Sequence, residues 1–155
     1  MNNVQLNDDV LGLIVFKSDL HGPSSSIASW KDDSSACSWN QVQCNPATGR
    51  VTEINLAGLG LSERIGKGLE KLQHLMVLYL SHNNFNGSIT PSLTLSRTIQ
   101  NLNLRNNGFS SQIPTSFLNM SSIRSLDLSH NSFSGYINEQ IFTSKEFHNK
   151  FSLKV

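Results

Sequence analysis

Apolar residues recur with a fixed phase through most of the chain. In LMVLYLSHNNFNGSI, residues 75–89, they fall at Leu75, Leu78, Leu80, Phe85 and Ile89, with Asn83 set among them. The arrangement returns in IQNLNLRNNGFSSQI (99–113) and IRSLDLSHNSFSGYI (123–137), and in worn form in VTEINLAGLGLSERI (51–65). The first residues, 51, 75, 99 and 123, stand 24 apart each time. Four in-phase copies without an insertion predict an α/β solenoid, in which each unit buries its apolar residues only against its neighbours.

Within a unit, the last two leucines of Leu-x-x-Leu-x-Leu alternate with polar residues, which predicts a short strand with one face inward. Successive strands then form a parallel concave sheet at a spacing of about 4.8 Å. Asn83, Asn107 and Asn131 fall where the chain turns away from that sheet, and an inward carboxamide there can satisfy unpaired backbone groups. Phe85, Phe109 and Phe133 should stack beneath it. Ile89, Ile113 and Ile137 fill the next corner, and Leu69/Leu72, Phe117/Met120 and Ile141 the far wall. Leu59 stands where the first repeat would carry its Asn, so the ladder should begin at Asn83. Ser96 replaces an apolar residue, a gap that Leu93 and Leu95 are expected to cover.

Residues 1–50 read as a cap over the open end of the array. Asn7 followed by DDVLGLIVFKSDL predicts a helix capped by Asn7, with Asp8 and Asp9 favouring its positive end. Val10, Leu13, Ile14 and Lys17 follow helical spacing, and His21-Gly22-Pro23 ends it. Trp30 anchors the loop after it. Val42 to Cys44 and Arg50 to Ile54 should pair as a hairpin across NPATG. Residues 51–146 are then four repeats, and 147–155 a partial fifth or a frayed tail. Phe151 and Leu153 would be the inward pair of that fifth strand, at an offset of 25 rather than 24. Its edge would be exposed, and the chain reads as a fragment.

Composition narrows the function more than the fold. Net charge is +1 and charged residues make up 15%, with no Lys/Arg stripe, which argues against nucleic acid as a partner. No apolar run approaches the roughly 20 residues of a membrane helix. The run Val10 to Phe16 follows two aspartates rather than cations, so no secretory signal peptide is legible. Cys37 and Cys44 can close a small loop worth about 2.5 kcal/mol if oxidised, or remain two buried thiols. They do not make a zinc site, and no cofactor is indicated. Gly66-Lys67-Gly68 lacks the Ser/Thr and leading Gly of a phosphate loop. No nucleophile–base arrangement is suggested either, so an enzyme is not expected.

CSWNQVQC together with Trp30 resembles the amino-terminal cap of plant extracellular leucine-rich-repeat proteins, whose hallmark is Cys-x-Trp-x-x-Val-x-Cys. Leu6 to Trp30 is similar to the cap helix of the same proteins. Three repeats carry most of Leu-x-x-Leu-x-Leu-x-x-Asn-x-Phe-x-Gly-x-Ile-Pro. Gly87, Gly135 and Pro114 match, whereas Ser111 replaces a Gly and Gly66, Thr90 and Asn138 replace Pro. The likeness covers about residues 5 to 142 and is nearest to the ectodomain start of leucine-rich-repeat receptor-like kinases. It implies a right-handed superhelix, a disulfide between Cys37 and Cys44, and an extracellular location at the plasma membrane. It further implies a peptide or protein ligand, or a co-receptor. A secreted inhibitor, similar to the polygalacturonase-inhibiting proteins, is the alternative. A truncated product without independent function is another.

The exposed positions of the concave sheet lie between the inward leucines, and the candidate ligand-binding residues are drawn from them. Asn55, Tyr79, Asn103 and Asp127 form one column; Ala57, Ser81, Arg105 and Ser129 a second; Gly58, His82, Asn106 and His130 a third. Tyr79, His82, Asn103, Arg105, Asp127 and His130 supply the aromatic, cationic and anionic mixture that suits peptide recognition. The competing reading is a solvated scaffold face whose site lies elsewhere. His82 and His130, two repeats and about 10 Å apart, cannot share a metal. Arg105 and Asp127 on adjacent strands are expected to form a surface ion pair worth under about 1 kcal/mol. Asn86 and Asn119 head glycosylation sequons, Asn119 being the better acceptor. In a chain this rich in Asn, Ser and Thr such triplets arise by chance and do not argue for secretion.

Overall fold

The computed structural model describes residues 8–23, 27–31, 35–134 and 152–154, the last three as backbone only. Asn7, Gly135, Ile137, Asn138, Ile141 and Phe151 lie outside the described residues.

The helix α1 (Asp8–Ser18) carries Asp8 and Asp9 in its first turn and Lys17 in its last, each sign suited to its end of the helix dipole. Its inner face is Val10, Gly12, Leu13 and Phe16. Gly12 is required by close approach: a Cβ there would sit 2.6 Å from the carbonyl of Gly68. The helix therefore lies almost backbone to backbone on the turn Leu69–Lys71. Trp30 stacks on Trp39 with ring centroids 5.5 Å apart and donates its indole N–H to the carbonyl of Asn40 at 2.9 Å. The disulfide Cys37–Cys44 closes the loop beside them.

The expected hairpin forms from β1 (Val42–Cys44) and β2 (Val51–Asn55), antiparallel, with Val42 opposite Ile54 and an irregularity between Gln43 and Cys44. Asp9 does more than favour the helix dipole. Its side chain is fully buried and accepts from Arg50 Nε at 2.9 Å and Nη2 at 3.0 Å, and from the backbone N–H of Val51 at 2.9 Å. One carboxylate thus ties the first turn of the cap helix to the first strand of the array. The hydrogen bond to Asp9 raises the Arg50 pKa above its ordinary value. That contribution is lost only as pH rises through the raised value, so it is fully present across the physiological range.

From β2 onward the strands are parallel. β4 (Val77–Tyr79), β6 (Asn101–Asn103), β8 (Ser125–Asp127) and β9 (Ser152–Lys154) extend the sheet in the order β1-β2-β4-β6-β8-β9. Ile54, Leu78, Leu102 and Leu126 share one register position and are buried, as are Leu56, Leu80, Leu104 and Leu128 two residues on. β9 pairs Leu153 with Leu126, an offset of 27 rather than the 25 that would have placed Phe151 there. A slip of two residues keeps every side chain on its own face, so alternation alone cannot separate those registers.

The asparagine ladder starts at Asn83. Its Oδ1 accepts from the N–H groups of Leu59 and Leu61, both at 3.0 Å, and its Nδ2 donates to the carbonyls of Leu56, Leu80 and Ser81. Asn107 and Asn131 repeat this one unit on, accepting from Phe85 and Phe109 at 3.1 Å and donating to Leu80 and Leu104, and to Leu104 and Leu128. Beneath them Phe85, Phe109 and Phe133 stack at 6.2 and 6.4 Å, planes nearly parallel.

The turn also starts a second sheet that the repeat pattern did not announce. β3 (Ser62–Glu63), β5 (Asn84–Gly87) and β7 (Gly108–Phe109) pair in parallel along the side of the solenoid. On the outer wall, α2 (Pro91–Thr94) buries Leu93 but leaves Leu95 67% exposed. Two residues along a helical turn point to different sides, so Leu95 does not cover the gap at Ser96. Ser96 instead accepts from the N–H groups of Thr98 and Ile99.

Asn83→Ala strands two amides and several carbonyls in the core. At about 1–3 kcal/mol for a buried unsatisfied group, urea unfolding should show a loss of about 3 kcal/mol, against under about 0.5 for exposed Asn86→Ala. Asp9→Ala should cost about 2–3 kcal/mol in the same measurement, at the low end for a broken pair because Arg50 can hydrate.

Candidate recognition surface

Parallel register aligns the outward residues of the concave sheet into rows. Tyr79, Asn103 and Asp127 are direct register partners, as are Val77, Asn101 and Ser125. Lys154 is the register partner of Asp127. Tyr79, Asn101, Asn103, Ser125 and Asp127 line a shallow depression of about 320 Å³, floored by Leu102 and Leu126. The structure therefore brings three of the six candidate residues to one concavity.

Much of the chemistry in these columns also serves the backbone. Asn55, Asn103 and Asp127 each accept, through Oδ1, from the N–H two residues on, in Ala57, Arg105 and Ser129. These are Asx turns that end the strand, and Asn and Asp are the residues that make them. Tyr79 stands in the same column without that role. It is the position whose identity the turn does not explain.

Arg105 and Asp127 do not form the expected ion pair; among the described residues the one salt bridge joins Arg50 to Asp9. Ser129 lies between them. Its buried hydroxyl donates to Asp127 Oδ1 and accepts from Arg105 Nη1 at 3.1 Å. A hydroxyl can donate to one group and accept from the other, so it links the two without their meeting and tethers the guanidinium at Ser129. Ser129 was not among the candidates. Its signal was its place one strand from Arg105 and two residues from Asp127.

His82 and His130 sit at the bend between strand and ladder, each with φ of 56°, as does Asn106 between them. Gly58 occupies the same place in the first repeat with φ of 69°. Gly, His and Asn are among the residues that enter the left-handed region most readily, so this column is selected in part by backbone conformation. Both histidines are exposed, and His82 Nδ1 lies 2.9 Å from Asn106 Nδ2. No three His, Cys, Asp or Glu side chains gather into a metal-holding group among the described residues. Asn86 and Asn119 are both exposed, Asn86 within β5 and Asn119 at the end of the outer turn Thr115–Asn119.

No helix among the described residues is long and apolar enough to cross a membrane. The Leucine rich repeat N-terminal domain matches residues 6–45, and the Leucine Rich Repeat matches 74–95, 98–120 and 122–143, together more than half of the chain. The LRR receptor-like kinase IRK of Arabidopsis thaliana is 60% identical over 92 residues, which are 59% of this chain and 10% of that protein. The chain thus spans about a tenth of the length of such relatives. Among solved structures, the PEPR1–AtPEP1 complex superposes with a TM-score of 0.79 at 29% identity, covering 88% of this chain and 20% of that one. A chain of the BIR3–SERK2 complex from Arabidopsis thaliana superposes with a TM-score of 0.74 at 25% identity, covering 95% of both chains. Cap, disulfide, asparagine ladder and matched repeats converge: the chain belongs to the leucine-rich-repeat proteins and is similar to receptor-like kinases and receptor-like proteins of Arabidopsis thaliana.

Proposed function

We propose that this chain is a non-enzymatic recognition module, the amino-terminal part of the ectodomain of a plasma-membrane leucine-rich-repeat receptor-like kinase. It binds a peptide or protein ligand, or a co-receptor, on the concave sheet and the lateral surface beside it, outside the cell. The observation that carries this reading is the row Tyr79–Asn103–Asp127 in register across three strands, with Arg105 tethered beside it through Ser129. An aromatic ring, an amide and a carboxylate are thereby fixed on rigid strands, with a guanidinium tethered just past the end of β6, which lowers the side-chain entropy lost when a peptide arrives. The disulfide Cys37–Cys44 suits an oxidising compartment. The likeness to PEPR1, solved with AtPEP1, supports a peptide as the ligand class. Asn119, at the exposed end of a turn, suits a glycan better than Asn86, which sits inside a paired strand.

A random-peptide display library panned on the immobilised disulfide-bonded chain tests this directly. Peptides enriched on the parent should be retained at least about 30-fold less by the Tyr79→Ala/Arg105→Ala/Asp127→Ala variant, the effect of losing one hot spot of about 2 kcal/mol. Equal retention on a variant with an unchanged thermal midpoint would place the binding surface elsewhere.

A further inference from the structure

A second concavity lies away from the concave sheet, where the cap meets the first two repeats. Ser62 donates its N–H to the carbonyl of His21 at 2.8 Å, pinning the exit of the cap helix against β3. Asp19 then lies directly over Gly66, where any side chain would overlap its carboxylate. This explains why Gly66 stands where the third repeat has Pro114. The groove so formed encloses about 730 Å³, within the usual 300–1,000 Å³ of ligand-binding clefts.

Its walls are unusually charged for a chain with so few ions. Asp19, His21, Glu63, Arg64 and Lys67 all line it, with buried Ile65 beneath. None of the two carboxylates and two cations forms an ion pair or side-chain hydrogen bond with another described residue. Glu63 is moreover held at φ of 70°, a left-handed conformation that costs a residue with a Cβ about 1 kcal/mol or more. Four formal charges converge on one cleft, balanced in sign but not satisfied by each other.

We propose that this groove is a binding site for a short peptide segment of a partner protein that carries one basic and one acidic side chain. A uniformly anionic ligand would meet Asp19 and Glu63, and a uniformly cationic one Arg64 and Lys67. An apolar ligand would desolvate all four without compensation. A dipolar segment alone finds complementary partners for both of its charges. The site is separate from the concave face and does not depend on the reading given to it.

Backbone amide NMR of the 155-residue chain, titrated with acetylated and amidated tetrapeptides, tests the proposal. The probes are Lys-Ala-Ala-Glu, Lys-Ala-Ala-Ala, Ala-Ala-Ala-Glu and Ala-Ala-Ala-Ala. The doubly charged peptide should shift the amides of Gly66, Lys67 and Ser92 and bind about tenfold more tightly than either singly charged one. Lys67→Glu, or the milder Lys67→Gln if the first lowers the thermal midpoint, should remove that advantage, whereas Tyr79→Ala should not. The proposal is overturned by unshifted groove amides, by equal affinity for the singly charged peptides, by shifts confined to the concave strands, or by full affinity in the Lys67 variants.

Discussion

The carboxamide of an inward asparagine is the interaction on which the rest of this solenoid depends. Each strand must leave the concave sheet at a sharp bend, and the bend strands amides and carbonyls in a region too apolar for water. Asn83 meets five of those groups at once, two through its oxygen and three through its nitrogen. Because every ladder asparagine also bonds to the repeat before it, the same group that satisfies one turn welds two units together. The Phe85–Phe109–Phe133 stack follows from that spacing, as does the lateral sheet of β3, β5 and β7.

A ladder of this kind has to start somewhere, and here the cap takes over. The first repeat has Leu59 in place of asparagine, and its amides are served from the second repeat by Asn83. On the other side, Asp9 and Arg50 clamp α1 onto β2, while the Trp30–Trp39 stack and the disulfide close the remaining apolar end. A buried carboxylate with three donors is tolerable only because all three are present together. One buried ionic contact thus joins the cap helix to the array, alongside the backbone bonds from β1 to β2 and from Ser62 to His21.

The core was legible in the sequence because its signal repeats: a period of two within each strand and of 24 between strands leaves little freedom. What escaped was what does not repeat. Asp9 and Arg50 stand far apart in the chain and occur once, so no period marks them. Leu153 and Phe151 have equal claim to the place opposite Leu126 until the pairing is seen. Leu95 was expected to cover the gap at Ser96 but follows Leu93 by the wrong helical angle. The candidate surface was half legible. The column Tyr79–Asn103–Asp127 falls in register as expected, yet Ser81 and Ser129 are buried rather than exposed, Asn103 and Asp127 make Asx turns, His82 and His130 occupy left-handed bends, and Ser129 carries the link assigned to an ion pair. Residue type at such positions reports the backbone first and a partner second, which leaves Tyr79 and Arg105 as the sharper indicators.

Native-state hydrogen exchange on the disulfide-bonded chain measures the ladder directly, amide by amide. The N–H groups of Leu59 and Leu61 precede β3, and those of Phe85 and Phe109 lie in the short lateral strands β5 and β7, yet each is held by an asparagine oxygen. They should exchange only through global unfolding, with the same protection as the amides of the central strands β4 and β6. Exchange of these four at the rate of exposed turn amides, while the strands stay protected, would contradict the ladder as the interaction that holds the repeats together.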